Sequence, residues 1–179
     1  LPKALIPIGD YTITERIIKS FQRYGCKEVF MILNHKANMI KAYFGELEKQ
    51  YKMSFIEEEV FLGTGGGLSL LKGKVNTTFF LSNCDILLNA DLECIYKTHK
   101  MKGNKITFVC AMKDVQIPYG VIETDEDGFV KNLKEKPEFS FLTNTGVYMI
   151  EPEVIDDLKE DEFIHLPDIA QRYMAKGEN

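Results

Sequence analysis

Three stretches of the chain carry residue types suited to chemistry. The first is Gly63-Thr64-Gly65-Gly66-Gly67, with four glycines in five residues. Glycine reaches backbone conformations closed to other residues and lets main-chain atoms approach a ligand or another segment. No Gly-Lys-Ser/Thr follows, and the spacing is not Gly-x-Gly-x-x-Gly, so neither common phosphate-loop fingerprint is present. The second is Phe79-Phe80-Leu81-Ser82-Asn83-Cys84-Asp85, an apolar run closed by a carboxylate. In an open α/β sheet, ligands bind at the carboxyl ends of strands. Asp85 stands there as a hard oxygen ligand of the kind Mg²⁺ takes, or as an ordinary turn cap. The third is Glu135-Lys136-Pro137, which offers an acceptor for hydroxyls and a cation for phosphate, or a solvated turn with a proline stop. Taken singly, Lys3 reads as a surface lysine and Asn144-Thr145-Gly146 as a turn that starts a strand. His35, His99 and His165 show no spacing that suggests a metal or a nucleophile triad and read as structural or solvated.

These residues need elements to hold them. Thr12-x-x-Glu15 is a capping box, and Ile13, Ile17, Ile18 and Phe21 then share one helical face up to Gly25. Glu28 to Leu33 is a continuous apolar run of the type buried on both faces of a parallel sheet. A second helix is predicted from about Lys36 to Phe44, ending at Gly45, and a short strand over Met53 to Glu57. The glycine turn leads into a short helix at Leu68-Ser69-Leu70-Leu71. A strand at Thr78 to Leu81, a helix from Asp91 to Lys102 stopped by Gly103, and a strand at Ile106 to Met112 follow. This alternation predicts a mostly parallel sheet with right-handed crossovers. The rhythm then changes. Asp125-Glu126-Asp127-Gly128 between Tyr119–Glu123 and Phe129–Leu133 signals a hairpin. Gly146 to Ile150 is a last strand, and Pro152 and Pro167 open helices.

At 179 residues the chain suits one domain with a core of its own. Apolar residues make up 45% and charged residues 27%, as in a globular protein, and the net charge of −5 without a Lys/Arg stripe argues against a nucleic-acid partner. No apolar run approaches the ~18 residues of a membrane span. The four cysteines, Cys26, Cys84, Cys94 and Cys110, form no CxxC pair and suit reduced thiols in a cytoplasmic protein. Cys94 and Cys110 are expected to be buried. A start at Leu1-Pro2-Lys3 and an end just past a helix are expected to be cuts.

In combination the segments resemble the sugar-1-phosphate nucleotidyltransferase family. The residues that carry the resemblance are Pro2-Lys3-Ala4-Leu5-Ile6-Pro7-Ile8, Leu62-Gly63-Thr64-Gly65-Gly66-Gly67-Leu68, Asn83-Cys84-Asp85, Tyr119-Gly120-Val121-Ile122, Glu135-Lys136-Pro137 and Asn144-Thr145-Gly146-Val147-Tyr148. They cover nearly the whole chain in the family's order, and the mannose-1-phosphate guanylyltransferase-like members resemble it most. The resemblance implies an α/β, Rossmann-like nucleotide-diphospho-sugar transferase fold, with a mostly parallel mixed sheet and helices on both faces. It implies transfer of a nucleotidyl group from a nucleoside triphosphate to a sugar-1-phosphate. Lys3 would contact the nucleotide's phosphate, and Leu62, Gly63, Thr64 and Gly65 would lie against its base beside Asn83. Asp85 would hold Mg²⁺. Gly120, Glu135, Asn144 and Thr145 would line the sugar pocket, and Lys136 would meet the sugar phosphate. Cys84 stands where the family usually has glycine, and Gly65-Gly66-Gly67 replaces a more usual Ala-Gly-Ala. The family's glycine-rich triphosphate loop is expected before Leu1 and its second metal-binding Asp beyond Asn179, so residues 1–179 alone are expected to fold but turn over poorly. Two other readings stay open: a non-catalytic nucleotide-sugar sensor, and a transferase with another acceptor such as phosphocholine. A homo-oligomer is compatible with all three.

Overall fold

The computed structural model describes residues 1–34 and 36–178; His35 lies outside the described residues. In chain order the elements are β1 (Pro7–Ile8), β2 (Tyr11–Thr12), α1 (Ile13–Gln22), β3 (Glu28–Leu33), α2 (Ala37–Glu46), β4 (Lys52–Glu57), α3 (Gly63–Gly66), β5 (Phe79–Ser82), α4 (Leu92–Lys102), β6 (Ile106–Gln116), β7 (Val121–Thr124), β8 (Val130–Lys134), β9 (Glu138–Ile150), α5 (Glu153–Asp156) and α6 (Leu166–Ala175). Short 3₁₀ turns occupy Lys3–Leu5 and Gly67–Leu71. The chain forms two compact units, Leu1–Phe108 with Gly146–Asn179, and Val109–Thr145.

The larger unit is built on β3 and β4, which pair in parallel from Glu28 opposite Lys52 to Leu33 opposite Glu57. Strand side chains alternate between faces, and the apolar run of β3 serves both. Val29, Met31 and Leu33 pack with Met53 and Phe55 of β4 against Ile18 of α1 and Ile40 and Phe44 of α2. Phe30, Ile32 and Ile56 pack on a second cluster that includes Leu68, Val154, Ile164, Leu166 and Ile169. Helices therefore cover both faces, as expected. The strands run in both senses and fall in separate sheets: β3 pairs with β4 in parallel, whereas β5 runs antiparallel to β9, with Phe79 opposite Ile150 and Ser82 opposite Val147, in a three-stranded sheet of order β5-β9-β6.

Local signals account for most boundaries. Thr12 caps α1 through a complete capping box with Glu15, whose carboxylate also accepts the Tyr43 hydroxyl at 2.7 Å. Asp91 caps α4 by accepting from the Cys94 N–H, and Gly103 ends it in the left-handed conformation at φ +64°. α2 runs past Gly45 to Glu46 rather than stopping before it, since its end lies where Leu47 turns extended. The glycine stretch is helical itself, not a turn that precedes a helix. β9 is thirteen residues long, far beyond the predicted Gly146–Ile150. The smaller unit holds the β7–β8 hairpin at the predicted place, with an irregularity at Glu123/Thr124. Cys94 and Cys110 are exposed, contrary to expectation. α4 buries Leu92 and His99 instead, and β6 keeps its buried positions before Cys110, at Ile106 and Val109.

His99 is fully buried, and each of its ring nitrogens has a partner. The ionised Glu151 carboxylate beside Nε2 can only accept, so the neutral ring keeps its proton on Nε2 and its Nδ1 accepts from the Thr107 hydroxyl, 2.7 Å away, which accepts in turn from Asn104 Nδ2 at 2.9 Å. Nε2 lies 3.1 Å from Glu151 Oε1, which also accepts from Thr78 and Lys100. Burial holds the His99 imidazole below its ordinary pKa, against the pull of Glu151. Burial pushes Glu151 up, but hydrogen bonds from Lys100, Thr78 and His99 outweigh it and leave the carboxyl below its ordinary range. Both groups bind fewer protons in the folded state than in the unfolded one, so both make stability fall in acid. The His99 share is intact above the ordinary imidazole range near ~6.5 and is lost below it; the Glu151 share is lost below the carboxylate range near ~4.3. The melting temperature is expected to fall between about pH 7.5 and about pH 5.5. His99→Gln should flatten that slope while costing about 1–3 kcal/mol at the upper pH, since it leaves the polar partners of a buried ring mispaired. An equal slope in the two proteins would assign the acid sensitivity to other groups.

Candidate active site

Lys3 sits on the 3₁₀ turn Lys3–Leu5, which Ala4 and Leu5 anchor by burial against Ile18, Leu33 and Phe44. Asp85 lies in the turn just after β5. Two contacts fix that turn. The Thr14 hydroxyl, at the start of α1, donates to the Cys84 carbonyl at 3.4 Å, and the Asn83 N–H donates to the Gly146 carbonyl at 3.1 Å. Gly146 is at φ +79°, and a Cβ there would lie 2.5 Å from Asn83 Nδ2, so the close seat of Asn83 requires glycine. The outcome is that Lys3 Nζ stands 3.3 Å from Asp85 Oδ2, although the two are 82 residues apart.

The Lys3–Asp85 pair is open to water, with side chains 76% and 37% exposed. Such pairs contribute about 0–1 kcal/mol. Each partner can therefore exchange the other for a ligand at small cost: Lys3 for a phosphate oxygen, Asp85 for a cation. Magnesium is typically held by one or two carboxylates plus phosphates, and an accessible Asp85 carboxylate fits that use. Among the described residues no group of three His, Cys, Asp or Glu side chains gathers as a metal cage. Burial pushes the Cys84 thiol up, and the charge of Asp85 adds to it, against a local backbone hydrogen bond and Lys3. It stays protonated at neutral pH and is unsuited to act as a nucleophile.

The glycine run lies in the same unit, and its backbone donors are largely committed within the chain. Leu62 N–H donates to Glu58 Oε1 at 2.9 Å, and Thr64 N–H to His165 Nδ1 at 3.2 Å. Gly65 and Gly66 N–H both donate to the Ile164 carbonyl at 3.0 Å, while Ile164 N–H donates to Leu62 O. A Cβ on Gly63 would lie 2.5 Å from the Ile164 carbonyl oxygen; on Gly65 it would lie 2.6 Å from Ile169 Cδ1; on Gly66 it would collide with the Glu162 carbonyl. The missing side chains thus admit the chain's own 162–166 segment. The reading of the run as a close approach to a ligand overlooked this use. Glu58 and His165 are the residues that sequence reasoning missed here. The only signal in the sequence was the density of glycines, which requires a close neighbour without naming it.

The remaining candidates belong to the smaller unit, described by itself. Glu135 Oε2 lies where a Cβ on Gly120 would come within 3.2 Å, so Gly120 and Glu135 are neighbours as expected. Lys136 takes φ +45°, a left-handed conformation uncommon outside glycine and frequent at functional sites. The Thr145 hydroxyl donates to the Val109 carbonyl at 2.5 Å, which places Thr145 and its neighbour Asn144 on the β9 edge facing β6. Glu135, Lys136 and Asn144 are exposed.

The family model described as nucleotidyl transferase matches residues 1–179. A mannose-1-phosphate guanyltransferase of Pichia angusta is 32% identical over 165 residues, covering 87% of this chain and 45% of that protein. A UTP–glucose-1-phosphate uridylyltransferase of Synechocystis is 27% identical over 202 residues, covering 98% and 52%. The chain spans about half the length of these curated relatives. Among solved structures, HddC from Yersinia pseudotuberculosis superposes with a TM-score of 0.69 at 22% identity, covering 91% of this chain and 73% of that one. That likeness shows the fold, Rossmann-like with a mixed sheet.

The packing of the glycine run yields a paired test. Gly66→Ala should cost about 1–3 kcal/mol, because the added methyl meets a main-chain carbonyl that cannot rotate away. Gly45→Ala, in a helix with open space around its Cα, should gain about 0.5–1 kcal/mol. Urea midpoints measure both; a Gly66→Ala protein as stable as the parent would show that the 162–166 segment is not held at this distance.

Proposed function

The chain belongs to the nucleotidyl transferase family, and we propose that it transfers a nucleotidyl group from a nucleoside triphosphate to a sugar-1-phosphate, in the manner of a mannose-1-phosphate guanylyltransferase. The observation that carries this reading is the Lys3–Asp85 pair at 3.3 Å, at the carboxyl end of β5. A cation and a hard anion, both cheaply released, are what a bound triphosphate and its metal require.

The sugar phosphate is already ionised at neutral pH, so its oxygen attacks the α-phosphorus without a general base. The new oxygen–phosphorus bond forms as the α–β bridge breaks and pyrophosphate leaves. Lys3 binds a phosphate oxygen of the nucleotide and offsets charge there. Leu62 to Gly65 bear on the base, and Asn83, seated on Gly146, borders it. Asp85 would hold Mg²⁺, which supplies charge neutralisation and alignment of the phosphates. In the smaller unit, Gly120, Glu135, Asn144 and Thr145 accept the sugar, and Lys136, held in its left-handed backbone, meets the sugar phosphate. A triphosphate substrate and free thiols suit the cytoplasm, and no helix among the described residues is long and apolar enough to cross a membrane.

The test is pyrophosphate release by the intact protein with GTP, UTP, CTP, dTTP and ATP, each against mannose-1-phosphate and glucose-1-phosphate. Turnover is expected with at least one pair, GTP with mannose-1-phosphate first. Release from none sinks the proposal. Asp85→Asn should lower turnover by ~10²-fold or more, as removal of a main electrostatic element does; turnover within threefold of the parent would take Asp85 out of the metal site. Lys136→Ala should raise KM for the sugar phosphate far more than for the triphosphate. Equal changes in both constants would contradict the assignment of Lys136.

A further inference from the structure

We propose that His165 is a positioning residue for the nucleotide, acting through Thr64 rather than by contact with substrate. The inference rests on the reading above, in which the base lies on Leu62 to Gly65. His165 immediately precedes α6 and is 101 residues from Thr64. Its Nδ1 lies 3.2 Å from the Thr64 amide nitrogen and 3.3 Å from the Thr64 hydroxyl. A backbone N–H has only a proton to offer, so Nδ1 carries the lone pair and Nε2 the ring proton. The Thr64 hydroxyl in turn accepts from the Leu166 N–H at 3.2 Å. Together with the Gly65 and Gly66 donors on the Ile164 carbonyl and the Ile164 donor on Leu62, these contacts lace two segments distant in sequence.

The lacing is unequal. The bonds to Ile164 are main chain to main chain and use no atom of its side chain. The bond at Thr64 depends on the identity of residue 165. Thr64 is also the exposed member of the run, between Gly63 and Gly65, both buried. Gly63, at φ +82°, takes the left-handed conformation that turns the chain into Thr64. Without an acceptor at Nδ1, the peptide that joins Gly63 to Thr64 loses its anchor, and the surface offered to a base changes. The ring itself is exposed and stands edge-on to Phe163 at 5.1 Å, so the nitrogen, not burial of the ring, ties it to the run.

Two substitutions separate these roles. His165→Phe keeps an aromatic ring against Phe163 and removes the acceptor. His165→Asn removes the ring but places a carbonyl oxygen close to where Nδ1 stood, and asparagine is a good residue to precede a helix. Melting temperatures establish that both fold. Amide hydrogen exchange at Thr64, Gly65 and Gly66 is expected to speed by about tenfold in His165→Phe and to stay near the parent in His165→Asn. KM for the triphosphate, with GTP, UTP and CTP as probes, is expected to rise by about tenfold in His165→Phe, the loss one ordinary hydrogen bond supports. The kcat and the KM for the sugar phosphate should stay within about twofold, and Asn should restore the triphosphate constant. Unchanged exchange in His165→Phe, or equal constants in the Phe and Asn variants, overturns the inference. Faster exchange with an unchanged triphosphate KM overturns it while leaving nucleotidyl transfer standing. A parent protein that binds none of the three triphosphates sinks nucleotidyl transfer itself, and the inference with it.

Discussion

The larger unit depends on one close approach, that of the Leu62–Gly66 backbone to the Glu162–Leu166 backbone. Residues a hundred positions apart meet at distances that leave no room for a Cβ on Gly63, Gly65 or Gly66. The approach brings Ile164, Leu166 and Ile169 into the same apolar cluster as Leu68, Leu71 and the inward side chains of β3. It also satisfies both the Ile164 carbonyl and amide with main-chain partners. A buried backbone group left unpaired costs about as much as a lost hydrogen bond. The glycines therefore fix the core and the polar accounting at once.

That constraint changes how the run contributes to function. The amides of Leu62, Thr64, Gly65 and Gly66 are committed to Glu58, His165 and Ile164, so these four are not free to cradle an anion. In the proposed function the charge-bearing role falls to Lys3 and Asp85, which reach one another from separate elements. The run's main chain is held on the 162–166 segment by those bonds, and in the proposed function that held surface is what the base meets. The Lys3–Asp85 pair is the opposite kind of feature, weak and open to solvent, and therefore free to exchange partners. In the proposed function the run would supply shape and the pair charge.

A second polar group, around His99, works by the contrary logic. Its centre, His99, is buried, and hydrogen bonds run from Asn104 through Thr107, His99 and Glu151 to Thr78 and the exposed Lys100. It ties α4 to the start of β5 and the end of β9. Networks of this kind favour one arrangement because every partial version leaves a buried group unpaired. Asp85 is at the far end of β5 from Thr78, so the network fixes the strand that carries it.

Much of this was legible in the sequence. The capping box at Thr12, the Asp91 and Gly103 caps and the β7–β8 hairpin are local, and local chemistry decides them. The apolar run of β3 announced a strand covered on both faces, because a period of two with no polar side has no exposed solution. The order of short motifs implied the family and singled out Lys3 and Asp85, but not that the two side chains meet. The sequence could not identify the neighbour of the glycines, since close approach is a relation between two segments and only one of them bears the mark. Nor could it separate His165 from His99. One is exposed with its nitrogen on Thr64, and the other is buried between Thr107 and Glu151. Cys94 and Cys110 read as core residues by pattern, yet tertiary packing gave those faces to solvent. Sequence determined what each segment could form, through dihedral preferences, caps and apolar period. The tertiary structure decided which segments meet, because that depends on packing summed over the whole chain, and with it which nitrogens, carboxylates and glycines share a site.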